Sequence, residues 1–285
     1  PEAIMADYVL TENGGLHTGS SDNPYIGINV GEKGVAWRKI RVRGTPGHGS
    51  APFKTDNALV RAAAVVQRLA DYRPPAKFHE LWRQQVDILD VDQETKETML
   101  DADLIEDWLD AHPVEGIARH FYSCTHTTFS PNVVESSRRM KTNVIPDQLD
   151  INVDIRTLPG ESTAEVQAHL DQALGDLADQ VDVEIIMNDP ASISQMDNPM
   201  WDTIQKAVNQ PFPSARLSPQ LIVGFTDARV YRNLGSVAYG AGLFSPDLKA
   251  SDFQTRFHGH DERIDLESLS LTTQFWLDVC HDFLG

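Results

Sequence analysis

Leu149-Asp150-Ile151-Asn152-Val153-Asp154-Ile155-Arg156-Thr157 alternates apolar and polar side chains without a break. Ile151, Val153 and Ile155 share one face and Asn152, Asp154 and Arg156 the other, the pattern of a strand buried on one side. A capping box follows, Ser162-Thr163-Ala164-Glu165, and Val166, Leu170, Leu174 and Leu177 continue from it at helical spacing. Residues 181–187 (VDVEIIM) alternate again and predict a further strand. Upstream, residues 35–43 (VAWRKIRVR) set Ile40 and Val42 against Arg41 and Arg43. Residues 56–71 predict a helix capped by Asp56 or Asn57, with Leu59, Ala62, Ala63, Val66 and Leu69 as its stripe. Another strand is expected near 119–129 (RHFYSCTHTTF). Residues 73–118, with Pro74-Pro75 and acidic helix-like segments around Glu94–Trp108, read as an insertion. The order β, α, insertion, β, β, α, β is the split βαβ, ferredoxin-like arrangement, an antiparallel sheet with helices on one face. Such a unit leaves a sheet face and an edge strand to be covered, and dimerisation through that edge is one solution.

The flanks have a different character. Residues 1–34 read as strand, loop, strand. After 190, Asn198-Pro199 starts a helix, with Pro in its first turn. Leu221–Val223 and Val237–Tyr239 are short apolar runs beside glycines, as in buried strands of an α/β sheet, with a helix over Thr226–Asn233 between them. A last helix is expected from about Leu266 to Phe283, with Leu266, Leu269, Trp276, Cys280 and Phe283 facing inward. The expected architecture is an α/β domain made of 1–34 and 191–285, interrupted by an inserted ferredoxin-like α+β domain over 35–190.

The chain has 285 residues and a formal net charge of -18, with a sequence pI of about 4.8. Such a surface repels phosphate backbones and anionic lipid, so neither nucleic acid nor a membrane is an expected partner. Cys124 and Cys280 lie far apart with no zinc or redox spacing and read as buried free thiols of a cytoplasmic protein. No apolar run is long enough to span a bilayer, and no signal peptide is visible.

Several polar groups stand where chemistry is usually placed. Phe257-His258-Gly259-His260-Asp261-Glu262-Arg263 gathers imidazoles and carboxylates, ligands that suit zinc, before the last helix. Glu12 follows the apolar run Tyr8-Val9-Leu10, at the end of a buried strand. His48 sits in Gly44-Thr45-Pro46-Gly47-His48-Gly49-Ser50 and could donate to a developing oxyanion. Asn143 precedes the strand that Arg156 ends, an amide and a guanidinium placed to hold a carbonyl and a carboxylate. Gly224-Phe225-Thr226-Asp227-Ala228-Arg229 joins a strand to a helix start, where free N–H groups attract anions. Taken singly, each also reads as a turn, a cap or a solvated loop.

Together and in this order, the stretches DYVLTENGG, GEKGVAWRKIRVRGTPGHGSAP, KTNVIPDQLDINVDIRTLPGE, GFTDAR and FHGHDERID resemble the zinc metallopeptidase and amidohydrolase family of aminoacylase, carboxypeptidase S, cytosolic dipeptidases, acetylornithine deacetylase and succinyl-diaminopimelate desuccinylase. The resemblance runs from near Asp7 to about Leu269. It implies a zinc-exopeptidase-like α/β domain with a ferredoxin-like lid used for dimerisation, a homodimer, and two zinc ions, which cobalt or manganese could replace. Glu12 matches a carboxylate ligand of one metal and His258 a histidine ligand of the other; His260 falls where the family varies. His48 resembles the lid histidine that crosses to the partner's active site and polarises the scissile carbonyl. Asn143 and Arg156 resemble lid residues that hold substrate carbonyl and carboxylate, Thr226 and Arg229 line the pocket, and Lys33 touches the substrate carboxylate. Phe225 stands where many relatives have a small residue. The implied activity is metal-assisted hydrolysis of an amide in a dipeptide or N-acyl amino acid, with a catalytic Glu moving the proton. The family's upstream His-x-Asp element, bridging Asp and Glu-Glu pair are not in this sequence, which starts at Pro1. The expectation is therefore a C-terminal portion that alone binds zinc poorly and is inactive. The alternative is a non-catalytic dimerisation or binding module derived from the same family.

Overall fold

The computed structural model describes residues 5–136, 140–253, 255–257 and 260–285. The chain divides into two compact units: one of Pro1–Glu32, Ala76–Thr125 and Ser192–Gly285, the other of Lys33–Pro75 and His126–Ala191. The fold class is the expected one, an α/β unit whose chain is interrupted by an α+β unit.

The second unit is built on strand Gln148–Thr157, whose side chains alternate between buried and half-buried along its full length. It pairs antiparallel with Arg38–Arg43 on one side and Thr128–Glu135 on the other, and Arg38–Arg43 in turn pairs with Val181–Ile185. Helices Ala58–Asp71 and Thr163–Leu174 supply Ala62, Val65, Leu69, Val166, Leu170 and Leu174 to one core with Ile40, Val42, Leu149, Ile151, Val153 and Ile155. Each of the larger side chains contributes about 1.5–3 kcal/mol by leaving water. The capping box at Ser162 and Glu165 is formed in both directions. Pro131 sits in the outer strand 128–135, where a missing N–H breaks no ladder on the free side, and the register shifts between Pro131 and Val133. A separate ribbon pairs Gly47–His48 with Val144–Ile145.

In the first unit, strand Asn23–Glu32 is buried over its last eight residues. Arg216–Ile222 lies parallel to it, His17–Ser20 and Ser192–Ile193 antiparallel. Tyr8–Thr11 pairs in parallel with Val237–Gly240. Ile26, Ile28 and Val30 share a core with Ile204, Val208, Tyr239 and Phe275.

Four sequence expectations differ from this fold. Residues 76–125 cluster with the first unit instead of forming part of one insert over 35–190. Trp82, Val86, Met99, Ile105, Leu109 and Cys124 bury one another there, a core of their own. Residues 119–125, expected as strand, end the helix Glu115–Thr125. Phe, Tyr, Cys and Thr favour strands, but packing overrides that preference: Phe121 lies edge-on to Trp82 at 5.3 Å, and the Thr125 hydroxyl bonds back to the Phe121 carbonyl. The strand begins at Thr128 instead. The last helix, Leu266–Leu284, buries Ser268, Phe275 and Val279 and leaves Leu266 and Leu269 exposed. Leucines on several sides of this helix give its periodicity no single phase. Cys280 is consequently exposed, and only Cys124 is buried.

Candidate functional site

In the first unit, Glu12 lies just beyond strand 8–11, exposed, as a carboxylate at the C-terminal end of a parallel strand. The backbone then passes through three left-handed residues, Asn13, Gly14 and Gly15, with φ of 68°, 78° and 93°. This turn seats the loop against the backbone of 240–243: the Ala241 N–H donates to the Thr11 carbonyl at 3.3 Å and the Phe244 N–H to the Gly15 carbonyl at 3.0 Å.

The loop 224–227 precedes a short helix, Ala228–Asn233. The expected anion at this helix start is supplied by the protein itself. Glu32, at the end of strand 23–32, accepts the Thr226 N–H at 2.8 Å and the Thr226 hydroxyl at 3.3 Å. Arg232 Nη1 donates to the same carboxylate at 2.9 Å. Burial raises the Glu32 carboxyl above its ordinary value, and the Thr226 N–H and the Arg232 guanidinium offset part of that rise. Arg229 is buried, with its guanidinium carbon 4.3 Å from the centre of the half-exposed Phe225 ring. Glu32 is not singled out by the sequence reading, although one signal is present: it is the one charged residue of strand 23–32 and ends it.

In the second unit, the ribbon 47–48/144–145 brings His48 and Asn143 together. Gly49 N–H donates to the Asn143 carbonyl at 2.8 Å, and both the His48 ring and the Asn143 side chain are exposed. His48 Nδ1 accepts the Ser50 N–H at 3.1 Å and lies 2.7 Å from the Ser50 hydroxyl. With Nδ1 accepting, the neutral imidazole carries its proton on Nε2, which faces outward as a donor. Arg156 is aligned by Asp154 through two bonds, Nε to Oδ1 at 2.7 Å and Nη2 to Oδ2 at 3.2 Å. Trp37 Nε1 donates to the same Asp154 Oδ1 at 2.8 Å. Arg156 Nη1 has no hydrogen-bond partner among the described residues. Lys33 is buried and directs its ammonium to the His126 carbonyl at 2.7 Å.

His258 lies outside the described residues. Among the described residues, no group of three or more His, Cys, Asp or Glu side chains is placed to hold a metal ion. Glu12 supplies one exposed oxygen donor, which by itself falls short of the three protein ligands a catalytic zinc takes. No helix among the described residues is long and apolar enough to cross a membrane.

Residues 30–182 match the peptidase dimerisation domain of the M20 peptidases, more than half of the chain. The chain belongs to the M20 metallopeptidase family. It is 26% identical over 259 residues to a probable carboxypeptidase S-like protein of Dictyostelium discoideum, covering 89% of this chain and 47% of that protein. It is 26% identical over 283 residues to an N-fatty-acyl-amino acid synthase/hydrolase of Xenopus tropicalis, covering 97% and 53%. The chain thus spans about half the length of these curated relatives. Among solved structures, human carnosine dipeptidase 1 superposes with a TM-score of 0.58 at 15% identity, over 96% of this chain and 59% of that one. The metallo-carboxypeptidase Sso-CP2 of Sulfolobus solfataricus gives a TM-score of 0.55 at 16% identity, over 98% and 70%. At these identities the two structures establish the fold, an M20 peptidase fold that includes the dimerisation lid.

Proposed function

We propose that the whole protein hydrolyses an amide bond in a small substrate that carries a free carboxylate, a dipeptide or an N-acyl amino acid. The observation that carries this reading is the shared ribbon of His48 and Asn143, two exposed hydrogen-bonding side chains held at one place in the dimerisation domain. The imidazole Nε2–H donates to the scissile carbonyl as its oxygen gains negative charge. The Asn143 amide donates beside it, and Arg156, aligned by Asp154 and with its buried Nη1 unpartnered among the described residues, is in this reading the cation that pairs with the free carboxylate. Thr226 and Arg229 line the acyl or side-chain pocket, and Phe225 gives it an apolar wall. In this reading Lys33 either releases the His126 carbonyl to reach the substrate or supports the lid from within.

The family resemblance assigns Glu12 and His258 to zinc, cobalt or manganese, together with ligands from elsewhere in the protein. A metal there would supply Lewis acidity and an activated water. The same reading makes the protein a cytoplasmic homodimer joined through the lid. Exposed Val133 and Val134 on the outer strand 128–135 support that edge as the contact. A relative that acts on N-fatty-acyl-amino acids supports the N-acyl class, and the dipeptidase fold supports the peptide class. The test is the full-length protein, loaded with zinc or cobalt, against a panel of dipeptides and N-acetyl amino acids, with release of the free amine measured. Turnover of at least one class is expected; no turnover of any member with either metal refutes the assignment.

A further inference from the structure

We propose that Glu32 is the positioning residue of the substrate loop: its carboxylate, steadied by Arg232, fixes the backbone at Thr226 and thereby places Phe225 and Arg229. This rests on the reading above that residues 224–229 line the substrate pocket.

Glu32 ends a strand whose preceding seven residues are buried, and it is 1% exposed itself. A carboxylate in that position is costly unless every oxygen is answered. Arg232 alone would balance the charge, yet both oxygens also take Thr226, one through its N–H and one through its hydroxyl. Arg232 is in turn held on its other side. Its Nε donates to Ser194 Oγ at 3.1 Å, and its Nη2 to the Ala238 carbonyl at 2.8 Å. The carboxylate therefore stands on a fixed base formed by strand 237–240 and by Ser194, which follows strand 192–193. Thr226 is the loop residue that reaches it. Asp227, at the start of helix 228–233, makes no side-chain capping bond among the described residues, while Glu32 holds the loop one residue earlier, at Thr226. The half-exposed Phe225 ring directly precedes the anchored N–H, and the buried Arg229 guanidinium backs the ring. A loop tied at this point presents an aromatic surface in one orientation. That arrangement suits an apolar acyl group or side chain, and it lowers the ordering cost of binding one.

Two measurements on the full-length protein test the proposal. In the parent protein, the Thr226 amide should exchange with solvent at least about tenfold more slowly than those of Phe225 and Asp227, as expected for an N–H bonded to a buried charge. Equal exchange overturns the anchor, and this result needs no variant to fold. The second measurement compares Glu32→Gln with the double variant Glu32→Gln/Arg232→Met, on whichever panel substrate is turned over. Both should raise KM about tenfold or more while kcat changes little, because the carboxamide cannot accept both Thr226 bonds. If the double variant restores the parent KM, Glu32 serves only to neutralise Arg232 and the proposal falls. The underlying loop assignment is separated by Phe225→Ala. An unchanged KM there, with slow Thr226 exchange, overturns the loop as substrate wall and leaves the anchor supported.

Discussion

Gly14 and Gly240 meet backbone to backbone. A Cβ placed on Gly14 would stand 2.2 Å from the Gly240 carbonyl oxygen, and a Cβ on Gly240 would stand 2.4 Å from the Glu12 carbonyl oxygen. Both obstacles are main chain, which no side-chain rotation removes, and Gly14 also has φ of 78°. Gly240→Ala should therefore destabilise the protein by about 1–3 kcal/mol, the range for overpacked sites, read as a lower urea midpoint. Glu12 sits on the turn that would be displaced, so if it is a metal ligand the same variant should weaken metal binding by the full-length protein in a chelator competition.

The lid histidine gives a contrasting outcome. His48 is exposed, so His48→Ala should leave the melting temperature unchanged. If Nε2 donates to the developing oxyanion, kcat should fall about 100-fold or more, the usual loss for one such donor. His48→Ala with parent kcat would remove the residue from the mechanism.

Asp154 aligns Arg156 through two bonds and also accepts the Trp37 indole N–H. Asp154→Ala frees the guanidinium from its alignment. If Arg156 pairs with the substrate, KM should rise about tenfold for substrates with a free carboxylate and stay the same for their methyl esters, since only the former present a charge to the guanidinium.

The last helix has a pH-dependent start. Asp265 caps it by accepting the Ser268 N–H at 2.7 Å, and Arg256 donates to the same carboxylate at 2.6 Å. The Ser268 N–H first, then the Ser268 hydroxyl and Arg256, hold the Asp265 carboxyl down to about 2. The folded value lies below the unfolded one, so the stabilisation is complete above about pH 4 and is lost as pH falls from there through about 2. Asp265→Ala should cost about 1 kcal/mol at neutral pH and flatten the pH dependence of the urea midpoint between pH 5 and 2.

The lid was legible because its signals were local. Alternation in 149–157, the capping box at Ser162 and the alternation within 35–43 each act within a few residues; the strand expected near 119–129 is the exception and begins at Thr128. The helix 115–125 was not legible, since its strand-forming residues are kept helical by Trp82 and Met99, which lie far away in the sequence. The helix of residues 58–71 shows the same limit on a smaller scale: Leu59 and Val66 fit the predicted stripe, but the buried line is Ala58, Ala62, Val65 and Leu69. For the candidate site, Glu12, His48 and Asn143 are proposed from short polar motifs beside glycine or at strand ends. Glu32 and Asp154 were missed because their importance lies in a partner: one is defined by Thr226 and Arg232 across the sheet, the other by the Arg156 it orients.

The pairing of Tyr8–Thr11 with Val237–Gly240 bears on how the molecule is made. Among the described residues, the parallel neighbour of the strand that carries Glu12 lies more than two hundred positions later in the chain. A pairing of such long sequence separation forms late, and a strand edge left unpaired in the meantime is prone to aggregation. The ferredoxin-like unit closes on itself much sooner. Newly made protein should therefore finish the α+β unit before the sheet that joins residues 8–11 to 237–240, and chaperone demand should fall on that sheet.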